Sequence, residues 1–257
     1  MVTDRRVSDQ LWTAVHVEDF QRQMALLRTW GFTPITFRDY HLFLEARRDL
    51  PKKPILITFD DGYLDTYEVA FPVLREFDYK AVIFVLGDHA IKTNYWDRNR
   101  NMPEVPLMTE QQIVEIHEAG LEIGSHSLTH PTLTELPGDQ LSEQVCRSRI
   151  LLEILLDTPV HSFSYPFGML NEKVKEAVKN AAYRFACAVG SGPPGFGDDL
   201  YEIRRITIPS RTTTAGFALR LLTPFQYYEW TRRQARNAYL HTFKRHINKS
   251  ESVTLAE

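Results

Sequence analysis

The sequence predicts an α/β fold with a mostly parallel sheet, on three observations. Short apolar runs alternate with amphipathic stretches, the order expected of successive βα units. The chain is 257 residues long, a size at which an α/β barrel is routinely one domain. The residues able to do chemistry fall at or just beyond the C-terminal ends of the expected strands, the edge where parallel α/β folds build their sites.

Each element follows from local pattern. Residues 19–30 have helical spacing, with Phe20, Met24 and Leu27 on one face and Gly31 as the stop. Residues 33–37 and 54–59 read as strands, the second apolar until it reaches two aspartates. Residues 65–77 read as a helix that tolerates Pro72, and 81–86 as a buried strand. Residues 87–108 are loop-like and contain Asn94, Tyr95, Trp96 and Asp97. Thr109 caps a helix running through Ala119, with Gly120 after it. Then come a strand at 121–124, a long amphipathic helix at 142–156, and a strand at 161–165 ending in a Pro-Phe-Gly turn. A helix at 171–182, a strand at 184–189, a Gly/Pro loop at 190–199 and a last strand at 201–208 follow. The count is about six or seven βα units. Residues 1–215 form the expected main domain, and 216–257 a basic, aromatic helical tail.

Composition narrows the class. With 43% hydrophobic and 25% charged residues the chain is an ordinary globular protein. A net charge of −3 gives no reason to expect nucleic acid as a partner. Cys146 and Cys187 have no metal-type spacing and read as free thiols. No apolar segment follows Met1-Val2-Thr3-Asp4-Arg5-Arg6, and no run is long enough to span a bilayer, so the expectation is a cytoplasmic protein. In the tail, Arg220, Arg232, Arg233, Arg236, Lys244 and Arg245 lie among Trp230, Tyr239 and Phe243. Such a helix can lie on an anionic membrane surface, or pack on the barrel with a solvated face.

Three short pieces carry the chemistry. Thr58-Phe59-Asp60-Asp61-Gly62-Tyr63 ends an apolar run with two adjacent carboxylates. Ser125-His126-Ser127-Leu128-Thr129-His130 offers two imidazoles four residues apart, the spacing that puts both on one face of a helical turn. Together they supply two His and one Asp to a zinc-type ion, leaving the second Asp as a base and one position open for water. Ser164-Tyr165-Pro166-Phe167-Gly168 is stiff and poor in reagents; its use is a backbone N–H aimed at a developing oxyanion.

In order and wording these pieces resemble the motifs of the polysaccharide deacetylases, also called the NodB-homology or carbohydrate esterase family 4 proteins. The resemblance covers roughly residues 10–210. The third piece, with Phe163 before it, looks like the variant of the poly-N-acetylglucosamine deacetylase branch. The resemblance implies a distorted (β/α)7 barrel and a divalent ion, usually zinc, on Asp61, His126 and His130. It implies Asp60 as general base toward water and the Phe167 N–H as oxyanion donor. The reaction would release acetate from an acetamido sugar and leave a free amine. Tyr165 and Pro166 would line the substrate cleft. Apart from the resemblance, the loop with Trp96 lies on the expected mouth side, where its rings either stack on a sugar face or anchor the long loop locally.

The sequence departs from the pattern in two places. Many relatives carry an acid His in a Leu-x-His motif, which is missing after residue 210. The branch with the Tyr-Pro-Phe-Gly variant carries it near the N-terminus, where Arg5 stands here, with His16 the nearest alternative. The third motif also lacks the Arg that orients the base; Ser164 takes its place, and Arg204 or Arg205 is expected to reach Asp60 instead. Two other readings stand beside a carbohydrate N-deacetylase. One is an amidase of the same fold acting on a non-sugar amide or cyclic imide. The other is a non-catalytic carbohydrate-binding protein that keeps the metal. For the enzyme, a nucleotide-linked or lipid-linked N-acetyl sugar fits a cytoplasmic chain better than an extracellular polymer does.

Overall fold

The computed structural model describes residues 1–4, 13–100, 102–189, 195, 199–225, 228, 231, 232 and 235. The chain begins with β1 (Val2–Thr3), parallel to β2 (Val15–His16), which leads into α1 (Val17–Thr29). Then β3 (Thr33–Ile35), α2 (Phe37–Leu44) and β4 (Pro54–Leu56) follow, β3 and β4 forming a second parallel pair. Next come β5 (Thr58–Phe59), α3 (Phe71–Glu76), β6 (Val82–Val85), α4 (Glu110–Glu118), β7 (Glu122–Ser125) and α5 (Gly138–Leu156). The series ends with β8 (Ser162–Ser164), α6 (Glu172–Asn180), β9 (Phe185–Val189), β10 (Ile203–Arg205) and α7 (Thr214–Leu222).

Strands β5 to β10 form one six-stranded parallel sheet in sequence order. A flat sheet would hold β5 and β10 five spacings apart, roughly 24 Å. Yet Arg205 on β10 touches Thr58 on β5 at 3.1 Å and Asp60 just beyond it at 2.7 Å. The sheet therefore curls until its edges share side chains, as the expected distorted barrel requires.

Alternation along each strand sorts side chains into two layers. Phe59, Ile83, Val85, Ile123, Phe163 and Ala186 face outward, into one core with α1, α5 and α6. Val82, Phe84, Phe185, Cys187 and Ile203 face inward, and Phe37 of α2 packs among them fully buried. Gly124 is needed inside this ring: a Cβ there would stand 2.5 Å from the Phe84 ring and 2.7 Å from Ser162 Oγ.

The structure differs from the sequence expectations in particular places. Helix α2 was not expected, although Thr36 and Asp39 form a capping box at its start. The helix expected at 65–77 is split, because Pro72 has no N–H and crowds the turn before it. That turn, Thr66–Ala70, widens, and the Phe71 N–H reaches the Thr66 carbonyl. The boundary expected after residue 215 falls within α7, whose Phe217 is buried and stacks on Trp30, the residue that follows α1, at 6.0 Å. Arg5, most of the loop at 190–199 and most of the tail, including Trp230, Arg233, Arg236, Tyr239, Phe243, Lys244 and Arg245, lie outside the described residues. Among the described residues no helix is long and apolar enough to cross a membrane.

Candidate metal centre and active site

The candidate site is assembled at the C-terminal ends of β5, β7, β8 and β10. Directly after β5 the chain turns sharply, with φ of 74° at Asp61 and 71° at Gly62. That turn brings two successive aspartates into one mouth. Oδ1 of Asp61 lies 3.3 Å from His126 Nε2 and 3.1 Å from His130 Nε2. Among the described residues these three form the one group whose ligand atoms converge, all within 4.8 Å of one another.

The two histidines do not share a helical turn, as their spacing suggests. They sit on a loop, with φ of 67° at Ser127 and 62° at His130. Ser127 Oγ accepts the His130 N–H at 3.0 Å, and Gln144 of α5 holds Thr129 through its backbone N–H at 3.0 Å. The imidazoles therefore converge through left-handed backbone rather than helical pitch.

His126 Nδ1 lies 2.7 Å from the Ser164 carbonyl, which can only accept, so Nδ1 carries a proton and in the neutral ring the lone pair is on Nε2, the nitrogen facing Asp61. A carboxylate oxygen facing such a lone pair at hydrogen-bond distance calls for positive charge between them, a proton or, when one binds, a cation. The donor set thus fits a divalent cation. Burial acts to raise the Asp61 pKa, but bonds and charges from the two histidines outweigh it and hold the carboxyl far below its usual range. For His126 burial acts downward, and the Asp61 bond with the Asp60 and Asp61 charges turns the net shift upward. For His130 burial prevails and the pKa falls.

Asp60 sits beside this group and is held separately. Arg205 donates to both of its oxygens, at 2.8 and 2.7 Å, and also to Thr58 Oγ1 and to Ser164 Oγ at 2.9 Å. Burial acts to raise the Asp60 pKa, but the Arg205 charge and hydrogen bonds carry it below the normal value. Of the two arginines expected to reach the base, Arg205 does. Arg204, the next residue back on β10, points to the other side and bonds Glu202 at 3.2 Å.

The third piece is a tight turn over Pro166–Gly168, with Phe167 in left-handed conformation (φ 58°). The Phe167 ring stands edge-on to His130, with centroids 4.5 Å apart. Tyr165 and Pro166, expected in the cleft, are buried instead. The Tyr165 hydroxyl donates to the Tyr201 carbonyl at 2.8 Å, because its place on the strand end aims it into the outer core with Phe163. Trp96 is near the site, but its ring lies flat on His130, with centroids 4.3 Å apart. His16 caps α1, accepting the Glu18 N–H on Nδ1 at 3.4 Å, and no described contact joins it to the aspartates and histidines above.

Two residues had been given no role from sequence. Tyr63 is buried and hydrogen-bonded to Asp61; burial, then the Asp61 charge, raise its pKa, so the phenol stays protonated and donates. Its place directly after the paired aspartates and Gly62 was the available signal. Arg100 lies over the Phe167 ring at 4.2 Å, and no sequence pattern announces it.

Comparison with known proteins agrees with this geometry. A Bacillus subtilis protein provisionally named a polysaccharide deacetylase is 26% identical over 200 residues, covering 78% of this chain and 67% of that one. The poly-beta-1,6-N-acetyl-D-glucosamine N-deacetylase of Staphylococcus epidermidis is 24% identical over 202 residues, covering 74% of this chain and 66% of its own. The chain thus spans about two thirds of each relative's length. The crystal structure of a polysaccharide deacetylase from Bacillus cereus superposes with a TM-score of 0.69 at 25% identity, covering 85% of this chain and 66% of that one. Residues 47–186, which contain the Asp60–Asp61 turn, the His126–His130 loop and the Pro166–Gly168 turn, match the family model for polysaccharide deacetylase, and the chain belongs to that family.

Proposed function

We propose that the chain is a metal-dependent N-deacetylase that hydrolyses the acetamido group of an N-acetylated sugar, with Asp61, His126 and His130 holding the ion. The observation that carries this reading is the division of labour between the two aspartates. Asp61 faces two imidazole nitrogens, while both oxygens of Asp60 are held in the Arg205 fork. One carboxylate is left to bind and one to take a proton. Two imidazole nitrogens and a carboxylate oxygen suit several divalent ions, and zinc is the ion proposed.

When bound, the ion supplies Lewis acidity, polarising the acetyl carbonyl and lowering the pKa of water. Asp60 accepts a proton from the attacking water, its orientation fixed by the two Arg205 N–H groups. The Phe167 N–H donates to the carbonyl oxygen as negative charge collects there. The water oxygen bonds to the acetyl carbon, the C–N bond breaks and acetate departs. The nitrogen takes up a proton, which the protonated Asp60 returns. Tyr63 stays protonated and steadies the Asp61 oxygens.

The substrate panel follows from the family. It contains poly-β-1,6-N-acetylglucosamine oligomers, chito-oligomers, and nucleotide-linked and lipid-linked N-acetyl sugars. Acetate release is measured with metal content determined on the same sample, and with Asp60→Asn alongside. Metal-dependent release that Asp60→Asn lowers at least 10²-fold is the expected result. Metal retained with no release from any member of the panel would overturn the sugar reading and favour a non-sugar amide.

A further inference from the structure

We infer that Trp96 is a positioning residue for His130, fixing by stacking what a hydrogen bond fixes for His126. The inference rests on the reading of His130 as a metal ligand. A ligating imidazole normally donates its far N–H to an acceptor, which sets the ring's plane and tautomer. His126 does this through the Ser164 carbonyl at 2.7 Å. His130 has no comparable support: among the described residues its buried Nδ1 meets no acceptor of another residue, only weakly its own carbonyl.

His130 is held by surfaces instead. Trp96 lies against one side of the imidazole, nearly parallel, at 4.3 Å and 17°. Phe167 meets it edge-on at 4.5 Å and 86°. The neighbouring Tyr95 grips the same loop, its hydroxyl donating to the Thr129 carbonyl at 2.5 Å. The backbone needs such support, because His130 has φ 62°, a conformation a non-glycine residue keeps only where its surroundings impose it.

The Trp96 turn is itself anchored from the far side. Asn94 is buried; its Oδ1 accepts the Val105 N–H at 2.7 Å, and its Nδ2 donates to the Pro103 carbonyl at 3.2 Å. Trp96 packs on the cluster of Tyr63, Leu86 and Leu107. A ring fixed by its own loop and laid on a metal ligand has little freedom to follow a sugar.

The test is metal affinity, read without turnover. Zinc binding is measured by competition with a chromophoric chelator, and the visible absorption of the cobalt-loaded protein reports ligand geometry. Trp96→Leu keeps apolar bulk but removes the flat face, and Trp96→Phe restores one; circular dichroism checks that each variant is folded. The expected result is zinc affinity about 10- to 100-fold weaker in Trp96→Leu with altered cobalt bands, and most of it recovered in Trp96→Phe. Zinc affinity within twofold of the parent in Trp96→Leu, with a rise in KM alone, would overturn the inference and make Trp96 a sugar platform. His130→Ala separates the two levels. If it weakens binding while Trp96→Leu does not, only the Trp96 inference falls. If His130→Ala has no effect, the metal-site reading falls and takes the inference with it.

Discussion

Replacing Arg205 tests how Asp60, the proposed base, is held. Arg205→Met keeps apolar bulk and removes four donated hydrogen bonds, two of them to Asp60. Breaking a fully buried ion pair by deleting one partner costs about 3–5 kcal/mol. Here Arg205 is 14% exposed and Asp60 28%, so solvent screens the orphaned carboxylate and the cost falls to about 2–3 kcal/mol. For a domain of this size that lowers Tm by roughly 5–10 °C.

Turnover should fall further than stability suggests. A base displaced by about 1 Å loses on the order of 10²-fold in rate. Arg205→Lys keeps the charge but cannot make the two-pronged contact, so it should recover stability better than kcat. The pH profile separates orientation from bulk packing. With the guanidinium gone, burial acts on Asp60 without its main opponent and the carboxyl pKa rises. The acid limb of kcat/KM should then move to higher pH. The assay is acetate release across pH on samples of equal metal content, with urea unfolding in parallel. If Arg205→Met keeps kcat within twofold and its acid limb in place, the arginine only packs the barrel and the reasoning fails.

The inward-facing Glu122 gives a stability prediction of opposite pH sense to most acids. Burial raises its pKa to about 6 from 4.5, against bonds from the Arg38 N–H and the Ser162 hydroxyl. The folded state therefore holds the proton that the unfolded state releases, so stability is greatest below pH 4.5 and falls as pH rises to about 6. The loss is about 2 kcal/mol, and Glu122→Gln should remove it; a stability–pH curve unchanged by that substitution would contradict the assignment. Gly124→Ala places a Cβ against Phe84 and Ser162 inside the closed ring, and urea midpoints should report a loss of about 1–3 kcal/mol.

The parts of the fold that were legible in sequence are those coded locally. The Thr109 cap of α4 and the apolar runs of β6 and β9 announced themselves. So did the order of the aspartate pair, the histidine pair and the Pro-Phe-Gly turn, which drew attention to the residues the structure gathers. What was not legible depends on closure or on backbone that no residue type encodes. Arg204 and Arg205 are chemically alike, and only the register of β10 against β9, with the return of the sheet to β5, decides which one meets Asp60. Tyr165 and Pro166 looked available from wording alone, but strand alternation buries the first and the turn buries the second. The helical pairing of His126 and His130 failed because Ser127 and His130 adopt left-handed conformations, which their identities do not advertise.

That last failure bears on whether the site acts or only binds. Among the described residues, eight other than glycine have positive φ. Ala46, Asp78, Asp157 and Ala182 end helices, where such a conformation closes the last turn. The other four, Asp61, Ser127, His130 and Phe167, all lie at the candidate site. Each costs roughly 1–2 kcal/mol relative to ordinary backbone. Strain at Asp61, Ser127 and His130 is what any protein holding the ion there would need. Strain at Phe167 serves the same end, since its ring supports His130. The Arg205 fork on Asp60 does not, because Asp60 is outside the converging group. A binding module that merely kept its metal would gain from relaxing that buried pair, and a base held beside the ligands argues for a site shaped to move a proton. On that argument Asp60→Asn should leave the metal in place while ending turnover.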